Sequence, residues 1–191
     1  MSRERQDTMA TGKWDIDVGH SAVHFYVRHM VISKVHGRFA KWSGQLSFDP
    51  ADLTQAKVAV KIDAASIDTQ VADRDAHLKS PDFFDVAKFP ELSFTSKKVV
   101  KSGDGYQLTG DLTMHGVTKE VTLDADFAGT GKDPWGNERA GFSAKGHLDR
   151  RDFGLTWNKA LETGGLLVAE KVEIAIELEA VKQAASAPVA A

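Results

Sequence analysis

The residues of this chain best suited to chemistry are its histidines. Four of its seven fall within HSAVHFYVRHMVISKVH, at His20, His24, His29 and His36. Imidazole is the commonest metal ligand and the usual general base near neutral pH. The residues between them, however, alternate in polarity, and alternation predicts a β-strand. On a strand His20, His24 and Tyr26 share one face, while Ser21, Val23, Phe25, Val27 and His29 share the other. At about 3.3 Å per residue, His20 and His24 stand roughly 13 Å apart, too far to ligate one ion directly. A metal site would need His115 or His147 from other strands, and no carboxylate spacing supports one. No metal is expected, and the run reads as a strand that carries histidines.

Other chemistry is equally thin. The chain has no cysteine, which excludes thiolate metal sites, cysteine nucleophiles and disulfides. No GxSxG elbow is present, so a serine nucleophile lacks its strained turn. The glycine-rich GTGKDPWG contains no phosphate-cradling GxxxxGK[ST] and reads as a hairpin loop. Asp73 and Asp75 flank Arg74, and the plainest reading is a capped helix with a local ion pair. No catalytic residue is assigned. A small β-barrel enzyme using His29, His115 or His147 is kept as the alternative.

The elements that would position these groups are strands. Val23/Phe25/Val27, Leu46/Phe48, Val58/Val60/Ile62 and Leu92/Phe94 step by two. So do Tyr106/Leu108, Leu112/Met114, Val121/Leu123, Phe142/Ala144 and Val172/Ile174/Ile176/Leu178. The segments FDPADL, KSGDGY, MHGVTK and GKDPWGNE are short turns, so neighbouring strands should pair antiparallel. About eight strands result, enough to close a barrel just wide enough for packed side chains or one ligand. The fold class is therefore all-β and antiparallel, an eight-stranded barrel or, as the alternative closure, an open sandwich. The one long non-strand segment, Ile67 to Pro90, should carry a short helix capped by Asp73 and lie across one end. Ser80-Pro81 should open a second turn. A shared phase points Val23, Phe25, Val27, Leu46, Phe48, Val58, Val60, Phe94, Leu108, Leu112, Leu123, Phe142, Ile174 and Ile176 inward. Small residues in the same phase, Gly37, Gly44, Gly110, Ala125, Ala144 and Gly146, argue against a filled interior.

The chain has 191 residues and a net charge of −3, with acids and bases mixed. That balance argues against nucleic acid or an anionic membrane surface as the main partner. No run approaches the ~18 apolar residues of a membrane span. Residues 1–12 and 183–191 are unpatterned and expected as disordered tails around one domain, 13–182. The opening MSRERQDTMATGKW lacks a signal-peptide core, so with Met1 as the start a cytoplasmic location is expected. The sequence leaves a homodimer open.

Five stretches carry a family resemblance: WDIDVGHSAVHFYVRH, VHGRFAKWSGQLSFDP, SIDTQVADRDAHLKSPDFFDVAKFPELSF, GDLTMHGVTKEVTL and RRDFGLTW. In that order they resemble the YceI-like proteins, also called the polyisoprenoid-binding or lipid-binding family, from about Trp14 to Val181. The resemblance implies a lipocalin-like barrel with a helix beside it. It also implies a non-catalytic carrier for a long isoprenoid or other amphiphilic lipid, of polyprenyl phosphate or quinone type, and no other cofactor. Most relatives are periplasmic. The resemblance does not fix the head-group residues; position on the helical segment suggests Arg74, His77 and Lys79, and position in the first strand His29. A non-enzymatic, stress-related module with a filled core stays open beside the carrier.

Overall fold

A computed structural model describes residues 11–162 and 164–184. Its strands are β1 (Gly12–Ile16), β2 (Ala22–His29), β3 (Ser33–Phe39), β4 (Trp42–Asp49), β5 (Asp52–Asp63) and β6 (Ile67–Asp68). After helix α1 (Ala72–Lys79) come β7 (Glu91–Ser102), β8 (Gly105–Met114), β9 (Val117–Lys132), β10 (Glu138–Asp149) and β11 (Val168–Lys182). All pairings between them are antiparallel. β1 and β2 are two halves of one barrel strand, and β3 and β4 two halves of the next, because β1 pairs β4 while β2 pairs β3. β11 then pairs both β1 and β2 and closes a ring of eight.

The break between β1 and β2 corrects the reading of the first histidines. Val18–His20 is a 3₁₀ turn, so His20 lies off the strand. Asp17 causes the turn: its carboxylate accepts from the Gly19 N–H, a local bond that competes with the ladder. Ser21 patches the gap. Its Oγ donates to the Asp17 carbonyl at 2.7 Å and accepts from the Glu179 N–H at 2.9 Å. The expected tails, 1–12 and 183–191, lie almost wholly outside the described residues; at their inner ends Gly12 opens β1 and the Gln183 N–H donates to the Lys13 carbonyl.

Four expected turns fall at hairpins. His115 and Gly116, both at positive φ (53° and 75°), form the two-residue type I′ link of β8 to β9. The segment after β6 is helical only over α1, and Ser80-Pro81 opens onto turns. Asp73 is not the cap: Val71 holds that position and offers no side-chain bond. Asp75 instead reaches back, its Oδ1 accepting from the Thr69 N–H at 2.9 Å and from the Thr69 hydroxyl. Nor does Arg74 pair with the flanking acids. Its Nε and Nη2 donate to the Thr69 Oγ1 and carbonyl, each at 2.7 Å.

Two apolar clusters bound the interior. At the end where β1 starts, Trp14, Leu46, Phe48, Leu53, Ala140 and Ala180 are buried together. Trp14 and Phe48 stack at 4.6 Å, with Phe142 edge-on to Phe48 at 5.1 Å. This is the floor. At the other end Phe39, Ile62, Ile67, Leu92, Met114, Phe153 and Leu155 form a second cluster, against which Leu78 of α1 and Phe84 pack. The helical segment thus covers the gap that opens between β3 and β7 once β6 has ended.

Candidate functional site

Between the clusters lies a cavity of about 590 Å³. That is mid-range for pockets that enclose a small ligand, roughly 300–1,000 Å³. Along β11 it runs from Leu178 to Val168. With strands rising ~3.3 Å per residue and tilted by about 40°, that span is roughly 25 Å deep. Of the fourteen residues expected to face inward, thirteen line this cavity. The exception is Phe48, which is 0% exposed and consumed in the floor stack. Its phase was right and its height was not.

The small residues act differently from expectation. A Cβ on Gly37 would sit 2.1 Å from the Phe25 ring, and one on Gly110 would sit 2.5 Å from the Phe94 ring and from the Thr95 carbonyl oxygen. These glycines are covered by rings of the neighbouring strand, which lie flat against the wall because no Cβ lifts them. Gly146 takes Leu123 in the same way, and Gly44 takes Ile16 and Val60. Flat rings leave the lumen open. Ala125 and Ala144, directly paired across β9 and β10, line the cavity themselves. Beside them, Asp126 and Ser143 reach it where a bulge at Gly141/Phe142 bends the wall.

Polar groups gather at the rim, where Arg28, His29, Thr69, Asp73, Arg74, His77 and Arg150 join the lining. Arg28 and Asp73 are exposed and flank the mouth. His77 is fixed by a 2.8 Å contact to Asp82 and by edge-on packing against Phe83 and Trp157, at 5.1 and 4.7 Å. Arg150 is 4% exposed and is not matched by a contacting carboxylate among the described residues. Its guanidinium donates to four carbonyls, those of Leu155 (2.5 Å), Trp157 (2.9 Å), Ala169 (3.0 Å) and Val168 (3.3 Å). Burial pushes its pKa down, yet a guanidinium stays charged. The result is a buried cation on the wall of an apolar cavity, which also pins the chain between Arg150 and β11. Sequence reasoning passed over Arg150. The signal was there: it lies two residues beyond Leu148, in the same inward phase.

Residues 14–180 of this chain match the YceI-like domain. Protein YceI of Salmonella newport is 42% identical over 171 residues, 90% of this chain and 86% of that protein. The chain belongs to the YceI-like family. BcnA of Burkholderia cenocepacia superposes with a TM-score of 0.76 at 28% identity, covering 86% of this chain and 99% of that one. A polyisoprenoid-binding domain from Saccharophagus degradans superposes with a TM-score of 0.64, covering 91% and 100%. At 15% identity the latter is a likeness of fold.

Within the YceI-like barrel the head-group candidates separate. His29, Arg74 and His77 line the cavity near its mouth, whereas Lys79 does not line it. The three histidines of the enzymatic alternative are dispersed. His115 sits in the β8–β9 turn, its Nδ1 3.1 Å from the Phe153 carbonyl and its ring against Phe89. His147 is exposed on β10, and only His29 reaches the lumen. Ligating atoms do converge elsewhere, at Asp17, His20 and Glu179. There the Arg139 guanidinium supplies the positive charge, donating to Asp17 (2.8 Å), Asp133 (2.9 Å) and Glu179. Arg139 and His20 hold the Asp17 carboxyl down near pKa 2. The Asn137 amide, then Arg139, does the same for Asp133. This clamp ties the floor end together. No helix among the described residues is long and apolar enough to cross a membrane.

Proposed function

We propose that the barrel holds one amphiphilic lipid with a long, isoprenoid-like tail, and does not transform it. The observation that carries this reading is the cavity itself: deep, walled mostly by aliphatic and aromatic side chains, packed shut by the Trp14–Phe48 cluster at the floor, with its arginines at the rim. The polyisoprenoid binding named for the Saccharophagus degradans domain supports the same assignment. Each CH₂-sized group removed from water contributes about 0.8 kcal/mol, so four isoprene units supply roughly 16 kcal/mol gross. A lipid drawn from a bilayer gains little of that, since it moves between two apolar media. Selection therefore rests on tail shape and on the head. Arg150 and Arg74, with His77 and His29, offer donors to an acceptor-rich head such as a phosphate or a quinone carbonyl.

Native mass spectrometry of protein purified without detergent tests the reading. One lipid mass per chain is expected. Ala144→Phe places a ring between Ala125 and Ile176, both lining residues, and should abolish that mass while the circular dichroism spectrum stays unchanged. This is a better block than Gly110→Phe, whose side chain would collide with backbone. An empty wild-type protein, or an Ala144→Phe variant that stays loaded, overturns the proposal.

A further inference from the structure

The tip of the β2–β3 hairpin is built against local preference. Met30 and Val31 both have positive φ, 52° and 67°, and the Ile32 N–H donates to the His29 carbonyl at 3.2 Å. That is the geometry of a type I′ turn, which favours Asn-Gly. A β-branched residue in this region is a genuine outlier, and such strain collects at functional positions. The same three residues are also exposed, Met30 by 42%, Val31 by 68% and Ile32 by 83%. A hairpin that needed only to turn would carry neither the strain nor the exposed apolar surface.

The tip grows from the rim of the cavity. His29 and Arg28 line the mouth, and the Met30 N–H donates at 2.9 Å to the carbonyl of Leu167, another lining residue. Behind the tip the outer wall is basic. Arg28 stands directly opposite Lys34, a pairing of like charges that destabilises a sheet. One carboxylate, Glu173, faces Lys34, Lys171 and Arg28, with Lys34 at 2.8 Å. Tyr26 lies on the same surface beneath Lys34. Spacing orders these groups by depth. At ~3.3 Å per residue, Arg28 is about 10 Å behind Val31 and Tyr26 about 16 Å behind it.

We propose that the Met30–Ile32 tip inserts into the surface of an anionic lipid bilayer, with Arg28, Lys34 and Lys171 at the phosphate level, so that the cavity mouth opens onto the membrane. Interfacial segments bury their apolar part about 5–10 Å deep, which sets the Arg28–Lys34 pair among the head groups. The near-neutral chain average hid this face, where Arg28, Lys34 and Lys171 stand around the carboxylate of Glu173. Binding to the bilayer stands on the hairpin alone; its purpose, lipid exchange, rests on the function proposed above.

The full chain is mixed with phosphatidylcholine vesicles, with and without a phosphatidylglycerol fraction, and floated on a density gradient. Wild type should float with the anionic vesicles and lose binding as salt rises. The triple variant Met30→Ser, Val31→Gly, Ile32→Thr should bind at least about tenfold less. Arg28→Gln should lose about fivefold, on the anionic vesicles only. Equal flotation of wild type and the triple variant overturns the inference, as does wild type that ignores both vesicle types. So does wild type that is dimeric and unbound to vesicles, with the triple variant monomeric; the tip then meets a second copy. Retained lipid, measured separately by mass spectrometry, keeps the two readings apart. A loaded protein that ignores vesicles sinks only this inference. An empty protein that floats by its tip sinks only the carrier.

Discussion

The two ends of the barrel solve opposite problems. The floor spends its side chains on itself: Trp14, Phe48 and Ala180 are at most 1% exposed, and outside them Arg139 is gripped by three carboxylates. The rim keeps its groups available. All five non-glycine residues at positive φ among those described, Met30, Val31, Gln70, Asp85 and His115, lie in the hairpins and helical segment of that end. Arg150 is held there by carbonyls rather than by an acid. Dense apolar packing and exposed polar or strained groups are thus concentrated at different heights along a single set of strands.

Substitutions at each end should break this contrast by different amounts. Trp14→Ala removes the largest side chain of the floor and should destabilise by about 3–5 kcal/mol in urea unfolding, with flotation on vesicles unchanged at a temperature where it stays folded. Arg150→Met leaves four carbonyls without a donor and should cost about 2–3 kcal/mol; Arg150→Lys, which keeps the charge but not the fork, should recover part of it. Val31→Gly points the other way. Releasing a β-branched residue from left-handed backbone should raise the urea midpoint by the equivalent of about 0.5–1 kcal/mol, so one rim residue is better replaced as far as stability goes. The smallest effect concerns acid. Asp17 and Asp133 sit near pKa 2 against an ordinary 3.8, so their contribution is complete above about pH 4 and is lost as pH falls towards 2. Arg139→Gln should flatten that part of the stability profile while leaving the neutral-pH slope unchanged.

Much of this was legible. Alternation through Val172, Ile174, Ile176 and Leu178 marked a strand with one apolar face, and short turns fixed antiparallel neighbours. Period two reports which face a residue takes and is silent on its height, which is why Phe48 was placed in the lumen and belongs to the floor. The same silence hid the value of Gly37 and Gly110, since the ring that covers each comes from another strand. Asp17 interrupts a pattern that periodicity carries straight through, and only its bond to Gly19 reveals the break. Arg150 continues the inward phase of Leu148 and was passed over, because a charged residue seldom extends an inward row.

One junction in the ring differs from the rest. β11 meets the first strand across some 150 residues of sequence, as in Ile174 opposite Phe25, whereas the other junctions span about 42 residues at most, as in Arg139 opposite Val181. Loop-closure entropy makes this the costliest contact of the ring to close. Until that seam is paired, the meander of hairpins is an open ribbon whose apolar face is accessible along the unsealed edge. Any lipid lying against that face when the seam shuts is enclosed without ever threading the mouth. On the carrier reading proposed above, the unpaired seam is therefore a second route to the interior besides the mouth.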